Sequence, residues 1–191
     1  MNKLNKIIII SGSSGAGKTT LVNHLMSYPQ FNLVFSVSAC SRAKRPLEIN
    51  GAHYFFISAN EFKDKIKTDQ FLEWEEVYDD HFYGTLKSTT MEILDEGKNI
   101  LFDVDVKGAR SIKNYFKEQA LSIFIKAPTL KIARKRLMQR KTDSENSVDF
   151  RVKKIEQETL IGEQMDHQLI NDDLTKSKHK IKELVREFLD L

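Results

Sequence analysis

Cysteine occurs once in these 191 residues, as Cys40, and proline only three times. A lone thiol cannot close an intramolecular disulfide and suits a reducing compartment, where it is expected to be a structural thiol. The histidines, His24, His53, His81, His167 and His179, lack metal-ligand spacing, so no zinc site is expected. Long hydrophobic runs are missing too. Ile7-Ile8-Ile9-Ile10 is far too short for a signal-peptide core or a membrane span, which makes a cytoplasmic protein the expectation. Nor is there an excess of one charge. The 30 Lys+Arg are nearly balanced by 27 Asp+Glu, a net of +3, which argues against binding nucleic acid through bulk positive charge. Without repeats, low-complexity tracts or a long Pro/Gly linker, the chain reads as one domain. A chain of this size buries about 70% of its unfolded surface and needs no disulfide or metal to build a core.

Short apolar runs alternate with amphipathic segments. Ile7–Ile10, Ile100–Val104, Leu121–Ile125 and Gln168–Ile170 read as strands. Helices are expected through Leu21, Val22 and Leu25, near Lys107–Phe116, over Leu130–Arg140, over Val148–Met165 and at the C-terminus from Lys178, where Ile181, Leu184, Val185 and Leu189 form a core-packing stripe. That alternation predicts an α/β fold with a mainly parallel sheet flanked by helices. Residues 35–86 break the rhythm. Phe35–Ser38 and Tyr54–Ile57 look like strands around a basic turn, Ser41–Gly51, and Ser58–Glu61 is a capping box for a short helix.

Gly12-Ser13-Ser14-Gly15-Ala16-Gly17-Lys18-Thr19 fits G-x-x-x-x-G-K-[ST] between an expected strand and an expected helix. Such a loop points successive N–H groups at a phosphate and adds the positive end of the helix. Lys18 would reach the β- and γ-phosphates of ATP, and Thr19 would place its hydroxyl on Mg²⁺. No N-K-x-D guanine motif occurs, which disfavours a GTPase, and no acidic pair suited to water activation follows Ile100–Val104, which disfavours a motor. A small-molecule kinase remains.

The stretch FSVSACSRAKRPLEINGAHYFF from Phe35, with FLEWEEV (71–77), FYGT (82–85), LFDVDVKGA (101–109) and NDD (171–173), closely resembles guanylate kinases, in order and over nearly the whole chain. The resemblance implies Mg²⁺-dependent transfer of the ATP γ-phosphate to GMP, with dGMP as a related acceptor. It implies a P-loop NTPase-type sheet with core 1–34, 87–136 and 152–191, an inserted mixed GMP-binding region at 35–86 and a mobile lid at 137–151. Ser38, Arg42, Arg45, Tyr54 and Tyr83 match positions that hold the GMP phosphate, a dianion suited to guanidinium forks and hydroxyl donors. Glu73 and Thr85 match the guanine-reading positions. A carboxylate accepts from guanine N1–H and N2–H₂, a donor pair that adenine lacks on that edge. Asp105 is similar to a residue near the base and metal network. Asp103, ending an apolar strand, resembles a Walker-B carboxylate that supports Mg²⁺ directly or through water. Arg136 and Arg140 match lid arginines over the ATP phosphates, Arg151 resembles a third, and Asn171 resembles a residue near the adenine.

Lys44, Leu47, His81-Phe82 and Lys141 depart from the usual pattern without removing a phosphate ligand. Two other readings stay open at this point: a non-catalytic interaction module of the same fold, and a kinase for another nucleoside monophosphate. Monomer and homo-oligomer both fit.

Overall fold

The computed structural model describes residues 5–139 and 145–191. Its centre is β1 (Ile7–Gly12), whose four consecutive isoleucines are all fully buried. A strand with four consecutive apolar residues must be covered on both faces, as the middle strand of a parallel sheet is. Here β1 runs parallel to β7 (Asn99–Asp103) on one side and β8 (Ala120–Lys126) on the other. β2 (Leu33–Phe35) and β9 (His167–Ile170) complete a five-stranded sheet in the order β2-β7-β1-β8-β9.

The pleat divides the core. Ile8 and Ile10 pack with Leu21 and Leu25 of α1 (Lys18–Met26) and with Ile181 and Val185 of α7 (Leu174–Phe188). Ile7 and Ile9 turn to the other face, against Ala109, Ile112 and Phe116 of α4 (Val106–Phe116), with Met91 and Leu94 of α3 (Lys87–Asp95) alongside. α5 (Leu130–Met138) and α6 (Glu145–Gly162) follow β8 and pack against each other.

Residues 39–86 form a second sheet, β4-β3-β6-β5, built from β3 (Ala39–Cys40), β4 (Phe55–Phe56), β5 (Phe71–Tyr78) and β6 (His81–Leu86). β3 pairs parallel with β4, while the β3–β6 and β5–β6 pairs are antiparallel. α2 (Ala59–Lys67) covers this sheet. Its expected N-cap is present, Ser58 Oγ accepting the Glu61 N–H at 3.1 Å. The buried Phe62 ring stacks on Phe71 at 4.2 Å and Phe82 at 5.3 Å. Cys40 is buried in β3, where desolvation raises the thiol's pKa, as suits a structural rather than a reactive cysteine.

Several boundaries differ from expectation. The single strand expected at Phe35–Ser38 is two: β2 ends at Phe35 in the main sheet, and β3 starts at Ala39 in the second. The C-terminal helix begins at Leu174, earlier than its apolar stripe indicated, because Asp173 accepts the Lys176 N–H at 2.9 Å and caps it. α6 ends at Gly162 and α5 at Met138, both short of the expected ends. Arg140 and Lys141 lie outside the described residues, as does the middle of the expected lid. No helix among the described residues is long and apolar enough to cross a membrane.

Phe62→Ala is expected to lower the unfolding free energy by about 3–5 kcal/mol, the usual cost of emptying a packed aromatic site. Urea denaturation at an unchanged slope measures it, and a loss under about 1 kcal/mol would show that the three-ring stack does not carry the second sheet.

Candidate active site

The phosphate loop leaves β1 at Gly12 and turns into α1 at Lys18. It is anchored from below by Ser13 N–H donating to Ile125 O at 3.1 Å. Gly15 and Gly17 have φ of 77° and 88°, a left-handed backbone that side chains disfavour. Gly17 is the N-cap of α1, and no side chain among the described residues caps it, so the first N–H groups of the helix remain available to an anion. The loop, Asp103, Val104, Asp105 and Glu158 surround a cavity of about 270 Å³.

Lys18 and Asp103 meet directly, Nζ against Oδ1. The register explains why. Asp103 pairs with Ile10 across β1 and β7, so the end of β7 lies beside the start of the loop. Thr19, the other expected Mg²⁺ ligand, lines the same cavity. No group of three or more His, Cys, Asp or Glu among the described residues forms a metal cage. One carboxylate and one hydroxyl beside a phosphate site nevertheless match Mg²⁺, which keeps most of its shell as water and phosphate oxygens.

Behind the loop, Asn171 follows β9 and is only 3% exposed. Its Nδ2 donates to Ala16 O at 2.8 Å, and its backbone carbonyl accepts from Arg136 Nη2 at 3.0 Å. Arg136 therefore supports the back of the loop through Asn171. Among the described residues, neither Asn171 Oδ1 nor Arg136 Nη1, both buried, has a hydrogen-bond partner. Arg151 lies half-buried in α6.

A second cavity, about 190 Å³, is lined by Ser38, Tyr54, Glu73, Glu75, Tyr83, Gly84, Asp103, Val104 and Asp105. Arg42 stands beside the Tyr54 and Tyr83 end of this cavity and is held from several sides. Its Nη1 and Nη2 pair bidentately with Glu48 Oε2 and Oε1 at 2.6 and 2.5 Å, and Nε donates to the Tyr83 hydroxyl at 3.1 Å. The guanidinium also lies over the Tyr54 ring at 5.1 Å. Glu48 takes the Arg45 N–H as well, at 2.8 Å, and its carboxyl is pulled down to about 2, chiefly by the bonds from Arg42. The Arg45 side chain remains exposed. Of the unusual residues in this turn, Leu47 projects into solvent at 91% exposure and Lys44 Nζ binds Glu48 O at 2.9 Å.

At the other end, Glu73 and Thr85 are directly opposed on β5 and β6, and the Thr85 hydroxyl donates to Glu73 Oε1 at 2.6 Å. Burial pushes the Glu73 carboxyl up to about 7, with Asp105 and Glu75 adding to the rise and Thr85 opposing it. Gly108 permits this placement, because a Cβ there would lie 3.0 Å from Glu73 Oε2. Asp105 serves first as the N-cap of α4, accepting the Gly108 N–H at 2.7 Å, while also lining both cavities.

Sequence reasoning missed Glu48, Glu75 and Glu158. Glu48 is the only acid in the basic turn 41–51, which was the available signal. A separate cavity of about 540 Å³ opens at the opposite end of the main sheet, beside Lys6, Asn32 and Asn99, and contains none of the expected ligands.

A family model described as guanylate kinase matches residues 4–188. The chain is 45% identical over 186 residues to the guanylate kinase of Porphyromonas gingivalis, covering 97% of this chain and 99% of that protein. It is 43% identical to the guanylate kinase of Bacteroides thetaiotaomicron, over 97% and 90% of the two chains. Among solved structures, the crystal structure of guanylate kinase from Anaplasma phagocytophilum superposes with a TM-score of 0.73 at 26% identity, over 97% of this chain and 86% of that one.

The raised Glu73 carboxyl has a stability consequence. Folded, it keeps its proton to about pH 7; unfolded, it releases it near its usual 4.5. The folded state binds more protons across that window, so stability falls as pH rises through it. At about pH 8, Glu73→Gln is expected to gain up to about 3 kcal/mol over its standing at about pH 4, each relative to wild type. Urea denaturation of both proteins tests this, and a difference that does not vary with pH would show that Glu73 is ionised normally.

Proposed function

The chain belongs to the guanylate kinase family and transfers the γ-phosphoryl group of ATP to GMP, giving ADP and GDP; we propose that the two cavities described above seat these two nucleotides. One observation carries the assignment: the phosphate-loop cavity and the Glu73 cavity share Asp103, Val104 and Asp105 as a common wall. Donor and acceptor phosphates seated on its two sides face each other directly. Transfer between them needs no covalent enzyme intermediate and no dedicated base, only positioning and neutralisation of charge.

In this reading the loop Gly12–Thr19 holds the ATP phosphates through its N–H groups and Lys18, with Asn171 at the adenine edge. Ser38, Arg42, Arg45, Tyr54 and Tyr83 hold the GMP phosphate. Arg42 is already oriented by Glu48, so little side-chain entropy is lost when the dianion arrives. Glu73, in its ionised form, accepts from guanine N1–H and N2–H₂, and Thr85 and Asp105 complete that end. Arg136, Arg140 and Arg151 are the candidates for stabilising charge on the transferring group, together with Lys18 and Arg42. Thr19 and Asp103 would hold Mg²⁺, which when bound offsets the negative charge of the triphosphate. Residues 35–86 and 137–151 are the segments proposed to close over the nucleotides and exclude water, which would otherwise hydrolyse ATP. A cytoplasmic enzyme of nucleotide metabolism is the setting this implies.

The test is ADP release in a coupled assay with GMP, dGMP, AMP, UMP and dTMP as acceptors. The expected order puts kcat/KM highest for GMP, with the Lys18→Ala protein at background; preference for AMP would refute the role given to Glu73. Glu48→Gln is expected to raise KM for GMP about tenfold while leaving KM for ATP near wild type, since a charged hydrogen-bonded pair is lost. Equal effects on both substrates would mean Glu48 has a general structural role.

A further inference from the structure

Arg151, Lys154 and Glu158 recur at helical spacing along α6 and share one of its faces. Glu158 lies at the end of that row nearest the phosphate loop. Its Oε2 accepts the Ser14 N–H at 3.3 Å, and its side chain lines the loop cavity together with Lys18 and Asp105. Ser14 is inside the loop whose N–H groups receive phosphate oxygens, so a carboxylate oxygen stands where an anion is wanted. Burial raises the pKa of the Glu158 carboxyl and Asp105 adds to the rise, while the Ser14 amide, Lys154 and Lys18 oppose it. None of the roles assigned above uses this residue.

We propose that Glu158 occupies an anion position of the phosphate loop in the nucleotide-free enzyme, competing with ATP phosphate for the Ser14 N–H and thereby setting ATP affinity from α6. The inference rests on the reading of the loop as the ATP seat. It follows from two costs. An inward-facing loop N–H without an acceptor would be an unsatisfied donor, and Glu158 supplies the acceptor. A carboxylate left beside a triphosphate repels it, most strongly where water is excluded. Binding therefore displaces the carboxylate from Ser14, and the helix that carries Arg151 responds to occupancy of the loop.

The experiment is calorimetric titration of wild type and Glu158→Gln with ATP, GMP, inorganic tripolyphosphate and adenosine. The expected result is Kd for ATP and tripolyphosphate tightened about tenfold, with GMP and adenosine unchanged. Unchanged or weakened ATP and tripolyphosphate binding, with GMP binding intact, overturns the proposal. If the variant loses GMP affinity as well, the wild-type protein decides. The carboxyl ¹³C resonance of Glu158 is expected to shift on saturation with tripolyphosphate, and an unmoved resonance overturns the proposal. A wild-type protein that transfers no phosphate from ATP to GMP would refute the ATP reading instead. Normal transfer with an unaltered ATP Kd in Glu158→Gln would refute only the role of Glu158.

Discussion

The register of β1 between its two neighbours is the constraint on which the site depends. Ile10 pairs with Asp103 on one side and Gly12 with Ile125 on the other. Burial of Ile7 through Ile10 on both faces makes β1 the middle strand, and its parallel pairings, from Ile7 with Ile100 and Ala120 to Gly12 with Ile125, hold it in place. With the register set, the loop emerges at the carboxyl edge of the sheet. Lys18 reaches Asp103, Ser13 is tied to β8, and Asn171 at the end of β9 closes on Ala16.

The second sheet is joined to this frame chiefly through β5 and α4. β5 carries Glu73 and Glu75 toward the wall formed by Val104 and Asp105, and α4 begins at that wall with Asp105 as its cap. The Glu73 carboxylate is thus placed by packing of one sheet against a helix of the other. Its burial makes ionisation costly, a penalty that a guanine edge would offset under the function proposed for this cavity.

Charge and N–H groups in the site are held by the protein's own oxygens. Arg42 is clasped by Glu48, Lys18 by Asp103, and the Ser14 amide by Glu158. These are groups that the functional reading assigns to phosphate. Internal pairing keeps them ordered, but the pairs differ in kind. Glu48 holds Arg42 from the side and leaves its cavity open, whereas Glu158 reaches into the loop itself.

Much of the main sheet was legible because apolar runs and amphipathic helices impose different periods on the chain, and the phosphate loop because its glycines answer a local backbone demand. β5 and β6 were less legible: β5 alternates Glu73 and Glu75 with bulky neighbours, and its inward face is polar because it lines a cavity rather than the core. By itself the sequence determined the parallel core, the loop and the basic turn, since these follow from local pattern and short-range motifs, while the residues for a second nucleotide followed from its resemblance to guanylate kinases. Only the tertiary structure decided that Glu48 grips Arg42, that Asp105 caps a helix while lining both cavities, that Arg136 and Asn171 support the loop from behind, and that Glu158 meets Ser14. The contacts of Arg136, Asn171 and Glu158 are set by strand register and helix packing, which bring together groups far apart along the chain, whereas Glu48 meets Arg42 through the fold of one turn.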